Sequence, residues 1–153
     1  MSARGDEGVA QLLAGLPARV RQLQLPSRAI TAIGAAAIGA AIGGSGVHTL
    51  GLERNQLGDD GARALAAAMP AAAALTSLAL GDNRIGADGL EALLQALESS
   101  RVRELDLGNS LLDGRRHNRF RAGETAVGAL ARCVARSQLT QLKKTAKQPS
   151  PRR

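Results

Sequence analysis

Leucine and valine recur along this chain in an order that neither a lone helix nor a lone strand produces. One unit runs Val47, Leu50, Leu52, Asn55, Leu57, Gly58 and Gly61, and a second runs Leu75, Leu78, Leu80, Asn83, Ile85, Gly86 and Gly89 without a gap. Each opens with apolar residues two apart, the period of a strand with one buried face. Each then passes a turn bearing Asn and continues at helical spacing. Ala64, Leu65, Ala68 and Met69 form one apolar face, and Ala92, Leu93, Ala96 and Leu97 form the next.

Fainter copies flank these two. Val20, Leu23 and Leu25 begin one, with Arg28 in the Asn column, followed by Ile30 and Gly34. Val102, Leu105, Leu107 and Leu112 begin another, in which Ser110 occupies the Asn column. Copies starting at Val20, Val47, Leu75 and Val102 are spaced by 27, 28 and 27 residues. The stretch Ala29–Val47 has no charge and carries Gly39 and Gly43 in a GxxxG spacing, so its length alone admits a membrane span. Its Gly34, Ala37, Ile38, Ala41 and Ile42 fall in the columns of Gly61, Ala64, Leu65, Ala68 and Met69, which assigns it to a repeat helix and gives no membrane role. At the start, Gly5-Asp6-Glu7-Gly8 matches Gly58-Asp59-Asp60-Gly61, and Leu12, Leu13 and Leu16 follow. At the end, Leu139 and Leu142 open a further copy that fails where Lys144 takes an apolar column.

The pattern LxxLxLxxNxLxxxGxxxLxxxL resembles the ribonuclease-inhibitor-like class of leucine-rich repeats and is similar to NOD-like receptor repeats. The resemblance implies an α/β fold: a right-handed solenoid with short parallel strands on the concave side and helices on the convex side. Strands are expected near 22–25, 49–52, 77–80 and 104–107, and helices over 8–15, 31–42, 60–69, 87–98 and 124–136. A single copy cannot bury its apolar face, so stacking is obligatory. Asn55 and Asn83 are expected to satisfy backbone groups at the turn. Asp59 and Asp88 are expected to cap their own helices. Gly61 and Gly89 are expected to allow helix and strand to approach. The repeat domain is expected over 1–142, with about four to five full or partial copies and a basic insertion at 114–122, exposed as a loop. A disordered basic tail is expected over 143–153.

Composition narrows the chemistry. The chain has 153 residues and 44% hydrophobic residues but one aromatic, Phe120, so its core must be a thin layer of Leu, Ile, Val and Ala. Cys133 has no intramolecular disulfide partner and falls in an Ala-rich stretch where it reads as core. The lack of disulfides suits a reducing, cytoplasmic setting, and residues 1–17 show no secretory pattern. Net charge is +7; residues 1–100 hold 7 basic and 9 acidic side chains, and residues 101–153 hold 13 and 4. With two His and one Cys, no metal-ligand spacing appears, nor a phosphate loop or a nucleophile with its base. The chain is therefore read as a non-enzyme without cofactor.

Function is expected on the strand face. The residues between and after the strand leucines form three columns: Gln22, Thr49, Ser77 and Glu104; Gln24, Gly51, Ala79 and Asp106; and Pro26, Glu53, Gly81 and Gly108. Of these, Gln22, Gln24, Thr49, Glu53, Ser77, Glu104 and Asp106 are candidate partner contacts. The basic loop Arg115, Arg116, Arg119, Phe120 and Arg121 could clamp phosphates or acidic side chains. The first reading is a protein-interaction module, a scaffold or receptor fragment, whose uncapped ends allow self-association. One alternative is polyanion or nucleic-acid binding through the basic third. The other is regulation of a small GTPase, because a Ran GTPase-activating protein shares the repeat class; that rests on fold analogy alone.

Overall fold

The computed structural model describes residues 5–108, Asn118 and the backbone of residues 141–143. In chain order the elements are α1 (Gly5–Ala14), β1 (Gln22–Gln24), α2 (Ala32–Ile42), β2 (Thr49–Gly51), α3 (Gly58–Ala68), β3 (Ser77–Ala79), α4 (Ala87–Leu97), β4 (Glu104–Asp106) and β5 (Gln141–Lys143). The strands form one parallel sheet in the order β1-β2-β3-β4-β5, with Leu23, Leu50, Leu78, Leu105 and Leu142 in one row. Helices α1 to α4 pack side by side behind it. The architecture is an α/β leucine-rich repeat solenoid.

The core lies between sheet and helices. Leu50, Leu52, Leu78, Leu80 and Leu105 are at most 1% exposed, as are Leu65 and Leu93 from the helices. Burying one such side chain contributes about 1.5–3 kcal/mol. Ala29–Val47 behaves as its columns required: Gly34, Ile38, Gly39 and Ile42 of α2 are buried. Gly39 leaves room for Ala68 of α3. Among the described residues no helix is long and apolar enough to cross a membrane.

Asparagine side chains tie successive repeats together. Asn55 accepts from the amides of Arg28 (2.9 Å) and Ile30 (3.1 Å), and donates to the carbonyls of Leu25 and Leu52 (2.8 Å each). Asn83 donates to Leu52 (2.8 Å) and Leu80 (3.1 Å). The next member is not Ser110 but Asn118. It accepts from the amides of Asn83 (2.9 Å) and Ile85 (3.0 Å), and donates to Leu80 (2.9 Å) and Leu107 (3.3 Å). Asn118 is 4% exposed, so the expected exposed loop at 114–122 contains a buried member of the ladder. The extra residues enter between Leu107 and Asn118, which is why the spacing from Leu105 to Leu142 grows to 37 while the sheet keeps its register. The expected failure of the last copy at Lys144 does not prevent a strand, and Lys143, expected in the tail, is the last residue of β5. The rest of that tail and the expected helix over 124–136 lie outside the described residues.

The turns carrying this ladder need left-handed backbone. Ser27, Arg54 and Asp82, each just before the Asn column, have φ of 55–58°. Ala29 and Arg84, just after it, are left-handed too, but Gln56 is not; there Gly58 takes φ +60° instead. The turn that departs from the pattern lies beside Asn83, and the buried Asn83 Oδ1 has no hydrogen-bond partner.

Helix starts alternate. In α1 and α3 a left-handed glycine, Gly5 or Gly58, precedes an aspartate whose carboxylate reaches the following helix rather than its own. Asp6 accepts from the Thr31 amide (2.8 Å) and the Thr31 hydroxyl at the start of α2. Asp59 accepts from Gly86 (2.7 Å) and Gly89 (2.9 Å) at the start of α4. Helix α1 accordingly begins at Gly5, three residues before expectation, because Asp6 belongs to this capping column. Asp88 is exposed within the first turn of α4 and is not that helix's N-cap, which is Gly86. Gly61 and Gly89 serve contacts between neighbouring helices, not the expected approach of helix and strand. A Cβ on Gly61 would clash with Leu57 just before its own helix and would reach ordinary contact with Ala32 and Ala35 of α2, and one on Gly89 would crowd Ile85 as well as Ala62 and Asp59 of α3.

Two expected outcomes test these assignments by urea unfolding. Asn118→Ala strands the amides of Asn83 and Ile85 and lowers stability by at least about 2 kcal/mol, whereas Ser110→Ala changes it by less than about 0.5 kcal/mol. Asp59→Ala costs about 1 kcal/mol by uncapping α4, while Asp88→Ala stays within about 0.5 kcal/mol.

Candidate functional site

Each of β1 to β4 buries its central leucine and turns its neighbours the other way, as a two-residue period demands. Gln22 and Gln24 are exposed, and Thr49, Glu53, Ser77, Glu104 and Asp106 are half-buried. The parallel register lays Gln22, Thr49, Ser77, Glu104 and Gln141 in one row, and Gln24, Gly51, Ala79, Asp106 and Lys143 in the next. All seven candidate contacts therefore share one face of the sheet. The Arg-rich candidates Arg115, Arg116, Arg119, Phe120 and Arg121 lie outside the described residues.

The face has a bare middle and an acidic side. Gly51, Ala79 and Gly81 present almost no side chain. The Gln24 amide lies over Gly51, and the Glu53 carboxylate borders both Gly51 and Gly81. Ser77 donates to Glu104 (3.2 Å), and Asp106 accepts from the Gly108 amide (2.8 Å), which steadies the exit from β4. Glu53 Oε2 is buried with no hydrogen-bond partner. Among the described residues no group of His, Cys, Asp and Glu could hold a metal ion. Nothing on this face joins a nucleophile to a base. What the arrangement offers is shape, hydrogen bonding and negative charge.

The family model described as Leucine Rich repeat matches residues 47–66 and 74–94, the two gapless copies. These two segments are leucine-rich repeats, and the fold around them is a leucine-rich repeat solenoid. A leucine-rich repeat solenoid of similar architecture is the leiomodin-1 actin-binding site 2. It has a TM-score of 0.74 and 20% identity, over 92% of this chain and 79% of that one. The tropomodulin C-terminal domain of Caenorhabditis elegans is also similar, with a TM-score of 0.60 and 16% identity over 86% of this chain and 78% of that one. No curated protein matches the sequence. At these identities the likeness is one of fold.

Sequence reasoning missed two features beside this leucine-rich repeat face. Asn118 was hidden by the insertion that displaces it, although it is the only Asn between Ser110 and the next repeat. The unpaired oxygen of Glu53 had no signal at all, since it depends on the glycines of two neighbouring strands.

The face also makes an expectation about its glycines, read by chemical denaturation. A Cβ at Gly51 meets the Gln24 amide and Glu53 Oε2, the far ends of flexible side chains, so Gly51→Ala costs less than about 0.5 kcal/mol. A Cβ at Gly81 meets the Gly108 carbonyl, which is backbone, so Gly81→Ala costs about 1–3 kcal/mol.

Proposed function

We propose that this chain is a protein-interaction module that engages its partner on the strand face, as a scaffold or receptor fragment of the ribonuclease-inhibitor-like class. One observation carries the reading. The strand leucines are fully buried, while the residues between them stand in ordered rows on a face that no described element covers. Rows of this kind need no side-chain identity for folding, so their identities are free to serve recognition. The likeness to NOD-like receptor repeats and the cytoplasmic setting belong to the same proposal. So does an actin partner, which the leiomodin-1 neighbour makes worth assaying. No described feature favours polyanion binding or GTPase regulation.

The test is capture by the immobilised full chain, with cell extract and purified filamentous actin as separate probes. Thr49→Arg with Ser77→Arg should abolish capture of whatever the native chain retains. Asp88→Arg with Glu91→Arg, on the exposed side of α4, should leave it unchanged. Equal losses from both pairs, or none from either, would remove the strand face from the reading.

A further inference from the structure

Two side-chain oxygens meet over Gly51. This residue stands in the column of Gln24, Ala79 and Asp106, and it alone among those four lacks a Cβ. The space a Cβ would fill is taken by the Gln24 amide, with Oε1 its nearest atom, and Glu53 Oε2 lies 3.0 Å from the same point. Gln24 is exposed, and Gly51 is buried beneath it. Glu53 Oε2 is shielded from water and has no hydrogen-bond partner among the described residues, the Gln24 amide nitrogen included. The other acids of this face are engaged. Glu104 accepts from Ser77 (3.2 Å), and Asp106 accepts from Gly108 (2.8 Å) and stands in register with Lys143. A carboxylate oxygen withdrawn from water without a donor is costly, and a charged donor relieves it most.

We propose that Glu53, Gln24 and Gly51 form a subsite for a lysine or arginine side chain of the protein partner, the exposed Gln24 amide turning aside as the cation reaches the Glu53 carboxylate. The inference rests on the reading of the strand face as the binding surface, and it names the chemistry that one point of that face takes. A metal ion fits poorly. One carboxylate and one amide fall short of the ligand number that hard cations demand, and no described group of His, Cys, Asp and Glu could hold one. A long side chain with its charge at the tip fits better. Its stem can lie along the small residues Gly51 and Ala79, and its head arrives where no Cβ blocks the approach. Guanidinium and ammonium groups both make charge-assisted bonds to a carboxylate. The local field does not oppose their approach, since residues 1–100, which include β1 to β3, hold 7 basic and 9 acidic side chains.

The test is a titration of the isotope-labelled full chain, read by amide NMR shifts, with the peptides acetyl-Ala-Arg-Ala-amide and acetyl-Ala-Lys-Ala-amide as probes. Saturable shifts are expected at the backbone amides of Gly51 and Glu53 and at the Gln24 side-chain amide. Neutral citrulline in place of the probe's arginine should weaken binding at least about tenfold, and Glu53→Gln in the chain should do the same. The citrulline probe needs no variant, so its result does not depend on how Glu53→Gln folds. Asp88→Asn, on the exposed side of α4, should change nothing. Equal binding of the citrulline probe, shifts that follow Asp60, Asp88 and Glu91 instead of Glu53, or no saturable shift at millimolar probe would each overturn the proposal. If capture depends on Thr49 and Ser77 but both basic probes leave Gly51 unmoved, the subsite is wrong and the binding face stands. If the basic probes bind through Glu53 while capture never depends on Thr49 and Ser77, the function is wrong and the cation subsite stands.

Discussion

Stacked repeats bring their turns into close contact, and a turn leaves amides and carbonyls with no ladder to join. In this chain each buried asparagine answers for two repeats at once. Its nitrogen gives to carbonyls of the preceding and its own copy, and in Asn55 and Asn118 the oxygen also takes amides of the preceding turn. Leaving such groups unmet costs about 1–3 kcal/mol each, so the position cannot drift relative to the sheet. This explains the behaviour of the last described turn. When the chain gained residues after Leu107, the ladder did not accept Ser110; it waited for Asn118, and β5 then joined β4 in the same register as the strands before it.

The helix side shows a second link of longer period. Asp6 and Asp59 sit at the start of one helix and hold the start of the next, whereas Ala32 and Ala87 occupy the same column in α2 and α4. A carboxylate placed between two helix N-termini is favoured by both. The structural unit on this side is thus a pair of repeats, although the apolar pattern repeats with every copy.

The apolar columns were legible because repetition exposes them. Leu50, Leu78 and Leu105 each need the same burial, and a substitution at any one leaves a gap its neighbours cannot close. The uncharged stretch around Ile38 was interpretable for the same reason: its residues fell into columns already defined by Leu65 and Met69. What escaped was non-local. Asp59 obeys the local rule for capping its own helix, so nothing in its surroundings announces a bond to Gly86 in the following copy. Asn118 kept its role but lost its spacing. The binding role proposed for the face was the least legible, since burial and register do not fix the identities of residues such as Thr49 and Ser77.

The unpaired oxygen of Asn83 changes which group closes one seam of the array. Every other described member of the column closes its seam with a bond from the side-chain oxygen to the turn before it; between the copies of Asn55 and Asn83 that clasp is open. There the Gly58 amide donates to the main-chain carbonyl of Asn83 instead (2.9 Å), and the Asn83 side-chain amide nitrogen still reaches the Leu52 carbonyl (2.8 Å). A main-chain acceptor thus serves at this joint where a side-chain acceptor serves at the other described ones, and the seam leans on the left-handed Gly58 rather than on Asn83 Oδ1.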